Sequence, residues 1–340
     1  MKTSIIVKEY ENIIDVENKQ EWMECHSLPS STFNNLKSFI EENNSRDSNI
    51  DSLELMKIGY KREYGYIITV KNYVGLIQMQ DGTQIEVLPK ITFEDEGNII
   101  AKRVFLNMLM SLKEFSGKVF NRANLNTDRM NLYEIFISMY INGVRYLTKK
   151  GIKSFYERKE GNLKVYKGKL KVKEQLSINI NHKERFYVDY DEYTANRPEN
   201  RLIKSTLLYL QKKSNYIKNI TEIRNLLNGF ELIDASSNYD NDFSQVVINR
   251  ENQDYETLMT WSKVFLYNKS FTTFSGSTIA KALLFPMEKL FESYVASELK
   301  KATKNTDWTI TTQDKGVYLF DNPQIFSLRP DIVIKKNNEE

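Results

Sequence analysis

Apolar residues change their period twice along the 340 residues, and this restricts the possible folds more than any single motif does. Up to about residue 95 the pattern is strand-like. SIIVKEY opens it, and YVGLIQMQ, Asp81-Gly82 and TQIEVLP spell a hairpin, with Ile77 and Met79 answered by Ile85 and Val87. An Asp-Gly pair suits the positive φ of a tight turn, and Pro89 ends the second strand by removing a ladder donor. Tyr66 to Val70 (YIITV) predicts a third strand, and the polar, aperiodic EENNSRDSNIDS of residues 41–52 predicts a loop.

From about residue 96 the period becomes helical. Val104, Phe105, Met108, Leu109 and Leu112 form one stripe. Leu132, Ile135, Phe136 and Met139 form a second, and Leu202, Ile203, Thr206, Leu207 and Leu210 a third. Between the last two, LKVYKGKLKV alternates like a strand around Gly168, and IDASSNYDNDFSQ (233–245) predicts an exposed loop. From near Ser277, KALLFPMEKLFESYVASELKK sets Met287, Leu290, Phe291, Tyr294 and Val295 in an apolar stripe, with Glu288 and Glu292 four residues apart beside it. The period then shortens again through WTITTQ, GVYLF and FSLRPDIVI, the last read as one strand with Pro330-Asp331 at its middle. The expectation is an α+β chain in three parts: a β-rich N-terminal domain (1–95), a mainly helical middle domain (96–275), and a helix followed by strands (276–340).

Composition removes several function classes. No run of about 18 apolar residues could span a bilayer, and the N-terminus lacks the apolar stretch of a signal peptide, so a cytoplasmic protein without a membrane partner is expected. One cysteine, Cys25, and two histidines, His26 and His182, cannot build an internal disulfide or a Cys/His zinc cage. Cys25 beside His26 could suggest a nucleophile and its base, but residues adjacent in sequence seldom face each other. No G-x-x-x-x-G-K-[ST] loop is present, so no nucleotide is expected to bind this chain.

The formal charge of +3 is small, yet unevenly spread. Between Gly143 and Lys173 eleven Lys or Arg face only Glu157 and Glu160, with Tyr146, Phe155, Tyr156 and Tyr166 interleaved. Such a stretch can track phosphates, and it can equally be a solvated charged face. Taken by itself it would support a plain DNA-binding module.

Phosphodiester hydrolysis by a hard divalent ion needs clustered carboxylates. A helix carrying Glu288 and Glu292, followed by strands ending in Pro-Asp, supplies part of such a cluster. Asp331 could also simply cap a turn.

VGLIQMQDGTQIEVLPKI, GKLKVKEQ, RFYVDYDEYTANRPENRLIKSTL, FPMEKLFESYVASELKK and SLRPDIVI together resemble, in order, the McrC subunit family of 5-methylcytosine-directed (type IV, modification-dependent) restriction systems. The resemblance implies that residues 276–340 are the first half of a PD-(D/E)xK restriction-endonuclease-like domain. It makes Asp331 a Mg²⁺ ligand, Glu288 or Glu292 the helical acid, and Gln313 the family's glutamine. It also implies methylated DNA as substrate and, as partner, a GTP-hydrolysing McrB-type AAA+ ring whose GTPase is stimulated. Arg145, Lys149, Lys150 and Lys153 are the candidate contacts to that ring or to DNA. Such proteins continue past PDIVI to an acid-x-Lys strand, whereas KKNNEE follows here, and Lys335 and Lys336 lie too close to Asp331 to replace it. A truncated nuclease is therefore one expectation, and a non-catalytic regulatory or assembly subunit is the alternative.

Overall fold

The computed structural model describes residues 4–20, 25–44, 55–91, 97–112, 130–250, 252–267, 280–312, 317–321 and 324–336. Strands β1 (Ser4–Lys8), β2 (Asn12–Asp15) and β3 (His26–Leu28) precede helix α1 (Ser30–Asn44). Helix α1 exists because Phe33, Leu36, Phe39 and Ile40 recur on one face and are buried. Residues 41–44 of the expected loop continue this helix, and residues 45–52 lie outside the described residues. Next come β4 (Met56–Lys61), β5 (Gly65–Val70), β6 (Tyr73–Met79) and β7 (Gln84–Leu88), then α2 (Gly97–Leu109) and α3 (Leu132–Lys150).

The chain continues through β8 (Phe155–Leu163), β9 (Lys169–Leu170), α4 (Val172–Ile178), β10 (Phe186–Thr194), α5 (Pro198–Lys213), α6 (Ile217–Asn228), α7 (Tyr239–Gln245) and α8 (Asp254–Tyr267). The last elements are β11 (Ala280–Pro286), α9 (Met287–Ala302), β12 (Trp308–Thr312), β13 (Val317–Asp321), β14 (Gln324–Leu328) and β15 (Ile332–Lys336). The class is α+β, as the period changes predict. Among the described residues no helix is long and apolar enough to cross a membrane.

Two compact units result. One holds residues 1–139 and 267–340, the other residues 140–266. In the first, one sheet runs β3-β2-β5-β4 and another β1-β7-β6-β11. The expected hairpin is β6 and β7, antiparallel, with Ile77 opposite Ile85. Strand β5 is a strand as expected, but it pairs with β2 and β4 in the other sheet. Strand β11 differs most from the sequence reading, which carried KALLFP into the following helix. Ala282, Leu283, Leu284 and Phe285 are all buried, so the run has no solvent face and no helical period, and it pairs antiparallel with β6. The sheet thereby joins residues from the first and last of the three expected segments. Phe285 lies 6.1 Å from the ring of Phe105 and 6.3 Å from that of Phe136, placing the core against α2 and α3.

Two further differences lie in the same unit. FSLRPDIVI is two strands, β14 and β15, broken at residues 329–331 where Pro330 has no donor. Strands β13 and β14 form a hairpin that returns β15 to pair antiparallel with β12. On α9 the buried residues are Leu290 and Ala296, while Phe291 of the expected stripe is 54% exposed.

In the second unit β8, β10 and β9 form an antiparallel sheet. Only two residues of LKVYKGKLKV are strand, since Val172 already begins α4. The expected 233–245 loop contains α7, begun by Asn238, whose side chain accepts from the Asn241 N–H. It is held by Asp242, which accepts a 2.5 Å hydrogen bond from Arg201 Nη2.

Candidate active site

Helix α9 starts where Pro286 leaves the sheet, with Pro286 at its N-cap and Glu288 in its first turn, where a carboxylate complements the helix dipole. One face of the helix carries Lys289, Ser293, Ala296, Ser297 and Lys300, at spacings of three, four or seven residues. With Lys301, Lys304, Thr312 of β12, Ser111 and Leu112, this face lines a cleft of about 810 Å³. Glu292 and Asp331 line the same cleft. The two acids are 39 residues apart in sequence (331 − 292), and Asp331 reaches the cleft because β15 pairs beside β12, with Thr312 opposite Ile332, the residue after Asp331.

The cleft separates the two helical candidates. Glu292 faces it, whereas Glu288 is exposed in the first turn and does not line it. Gln313 lies outside the described residues. Lys335 and Lys336 are exposed and pair across the sheet with Thr309 and Trp308. The sequence reading missed the lysines. Lys301 pairs with Glu298 at 2.7 Å, while Lys289, Lys300 and Lys304 have no carboxylate partner among the described residues. The recurrence of Lys289 and Lys300 on one face of α9 was the available signal. Two carboxylates among cations form an anion-attracting cleft with hard oxygen donors inside it. Among the described residues no group of three or more His, Cys, Asp or Glu could hold a metal.

The basic stretch is placed differently from its appearance in sequence. Arg145 donates to Glu222 at 2.5 Å and to Asn142 at 2.8 Å, and Lys150 pairs with Asp254. Arg158 pairs with Asp189, Lys159 with Glu192 at 2.7 Å, and Lys171 with Glu160 at 2.7 Å. Five of the eleven cations thus meet carboxylates, most of them supplied from outside the stretch. Lys149 is exposed, and the Lys153 backbone N–H donates to the Tyr255 hydroxyl at 3.1 Å. Cys25 packs against Ile14 and Ile67, while His26 is hydrogen-bonded to Glu11 at 2.9 Å, so their side chains have different partners.

A family model described as "McrBC 5-methylcytosine restriction system component" matches residues 68–340. No curated protein matches the chain. Two solved structures from Thermococcus gammatolerans share the fold. One is a refined half-complex from a tetradecameric assembly of McrB AAA+ hexamers with bound McrC, similar at a TM-score of 0.67 and 19% identity over 99% of this chain and 77% of that chain. The other is a cryo-EM structure of the McrBC complex, with a TM-score of 0.59 and 19% identity over 87% of each chain. At this identity the likeness speaks for the fold.

Proposed function

Because the chain belongs to the family of McrBC 5-methylcytosine restriction system components, we propose that it is the subunit that cuts methylated DNA while assembled with a McrB-type AAA+ GTPase ring. The supporting observation is the joint position of Glu292 and Asp331 in one lysine-lined cleft. One solved complex that shares the fold holds McrB AAA+ hexamers with bound McrC and the other is an McrBC complex, which supports assembly with such a partner here. In this reading Lys289, Lys300 and Lys304 neutralise backbone phosphates and hold a strand along α9.

Mg²⁺ commonly keeps several waters and is held by one or two carboxylates plus substrate phosphates, so Glu292 and Asp331 fit it in kind and in number. When bound, the ion would polarise the phosphate and supply hydroxide. Asp331 and Glu292 would hold it, and the lysines would orient the strand. Replacing Asp331 with Ala in the assembled complex is expected to abolish cleavage while GTP turnover and assembly persist. Cleavage that survives this change refutes the assignment.

A second reading is favoured by the cleft's having two acids rather than three among the described residues. In it the chain stimulates the ring's GTPase without cutting. GTP turnover by the ring, with and without this chain, measures the stimulation. A rise in turnover that persists with the Asp331→Ala variant, together with no cleavage by the unaltered chain, would establish this reading.

A further inference from the structure

Away from the cleft, the turn end of the β4–β5 hairpin presents two tyrosines with three cations close by. Tyr60 and Tyr66 are cross-strand partners whose rings meet edge to face at 5.4 Å, and they are 68% and 49% exposed. Lys37, from α1, sits 3.6 Å over the Tyr66 ring. Lys61, which leaves the opposite face of β4 from Tyr60, and Arg62 in the turn are exposed, and Lys61 lies 5.6 Å over the ring of Tyr64. Glu63 is the one acid in the run from Met56 to Val70, and none of these three cations has a carboxylate partner among the described residues. Two of these cations, Lys37 and Lys61, contact aromatic faces, whereas five of those in the 143–173 stretch pair with carboxylates.

A cross-strand aromatic pair stabilises a hairpin by about 0.2–1 kcal/mol, and lysine on an edge strand guards against edge pairing. These effects explain the pairing and one or two lysines. They do not explain a net excess of two positive charges at the turn end, beside rings left in solvent. A ligand with repeated negative charge and flat apolar faces satisfies both features. A duplex offers phosphates but keeps its base faces stacked, whereas a single strand offers both.

We propose that the turn end of the β4–β5 hairpin is a second nucleic-acid site that binds single-stranded DNA, with Tyr60 and Tyr66 stacking on bases and Lys37, Lys61 and Arg62 on phosphates. The site is separate from the α9 cleft and independent of it.

The test uses the full chain carrying Lys300→Ala and Lys304→Ala, so that the cleft contributes little, and a fluorescent oligothymidylate of about 12–15 nucleotides. Anisotropy with this strand and with a duplex of equal length gives the two affinities. Changing Tyr60 and Tyr66 together to Ala is expected to weaken single-strand binding about tenfold or more and duplex binding far less. Changing both to Phe keeps the stacking faces and is expected to keep the affinity. Changing Lys61 and Arg62 to Gln is expected to reduce the slope of log affinity against log salt by about 1.4. Both tyrosines are exposed, and thermal melting checks that each variant remains folded. An alanine pair that lowers the melting temperature but leaves the single-strand affinity unchanged overturns the proposal, as does an equal loss for strand and duplex.

Discussion

Asp189 lies on β10 diagonally across from Arg158 on β8, with Nε at 2.8 Å from Oδ1 and 2.9 Å from Oδ2. The hydrogen bonds and charge of Arg158 hold the Asp189 carboxyl below the usual carboxylate range. A depressed folded value means stability that is present above the unfolded pKa, about 3.9, and lost as pH falls through the folded one. Asp189→Asn is therefore expected to flatten the acid limb of a melting-temperature profile below about pH 4, with little change in that limb's onset elsewhere. A glycine makes a second residue-scale prediction. At φ +137°, a Cβ on Gly75 would stand 2.0 Å from the Leu283 carbonyl oxygen, which belongs to the partner strand β11. Gly75→Ala must either break that pairing or strain the backbone, and it is expected to cost about 3 kcal/mol or more in denaturant titration. Asp331 shows what sequence can deliver at this scale: residue type and neighbours suggest a metal ligand, but the identity of its companion depends on a cleft. Glu288 and Glu292 are equivalent by spacing, and only the cleft lining distinguishes them.

Helix α3 begins in a polar setting that its own sequence only half announces. The Asn131 side chain accepts from the Glu134 N–H at 2.9 Å, and Asn131 Nδ2 donates to Gln84 at 2.8 Å. Glu86, buried on β7, accepts from the Leu132 N–H at 2.7 Å through Oε1. Its Oε2 accepts no aligned hydrogen bond and is held by the Lys102 ammonium at 2.9 Å, which also donates to the Met130 carbonyl at 3.0 Å. Asn131→Ala is expected to lower stability by about 1 kcal/mol, the usual effect of a lost cap. Glu86→Ala is expected to cost about 3–5 kcal/mol, because Lys102 would remain a buried charge without its partner. Equilibrium unfolding of the two variants measures the difference. A cap residue such as Asn131 is legible from its place before an apolar-periodic run. Glu86 was not legible, since a charged residue in a strand predicts a solvent face and this one points at a helix end. The same limit explains β11, where a run covered on both faces has no period to read.

At the scale of the whole chain, β11 and α9 carry residues 280–302 back to the sheet begun by β1, so the first compact unit is built from both ends of the sequence. A fragment ending at residue 279 would expose the edge of β6 and remove Phe285 from Phe105 and Phe136. It is expected to be largely insoluble, or to melt well below the full chain, as soluble yield and thermal scans would show. The period changes determine the α+β class, the β6–β7 hairpin and the three amphipathic helices, because each depends on neighbours within a few residues. The order of motifs along the chain is likewise a property of the sequence, and it is what the family match over residues 68–340 reads. Which strands share a sheet, which of two glutamates joins Asp331, and how far the 143–173 charge excess is neutralised were decided by tertiary structure alone. Each depends on groups brought together from distant parts of the chain, and neither the distance nor the dielectric between such groups exists until the chain has folded.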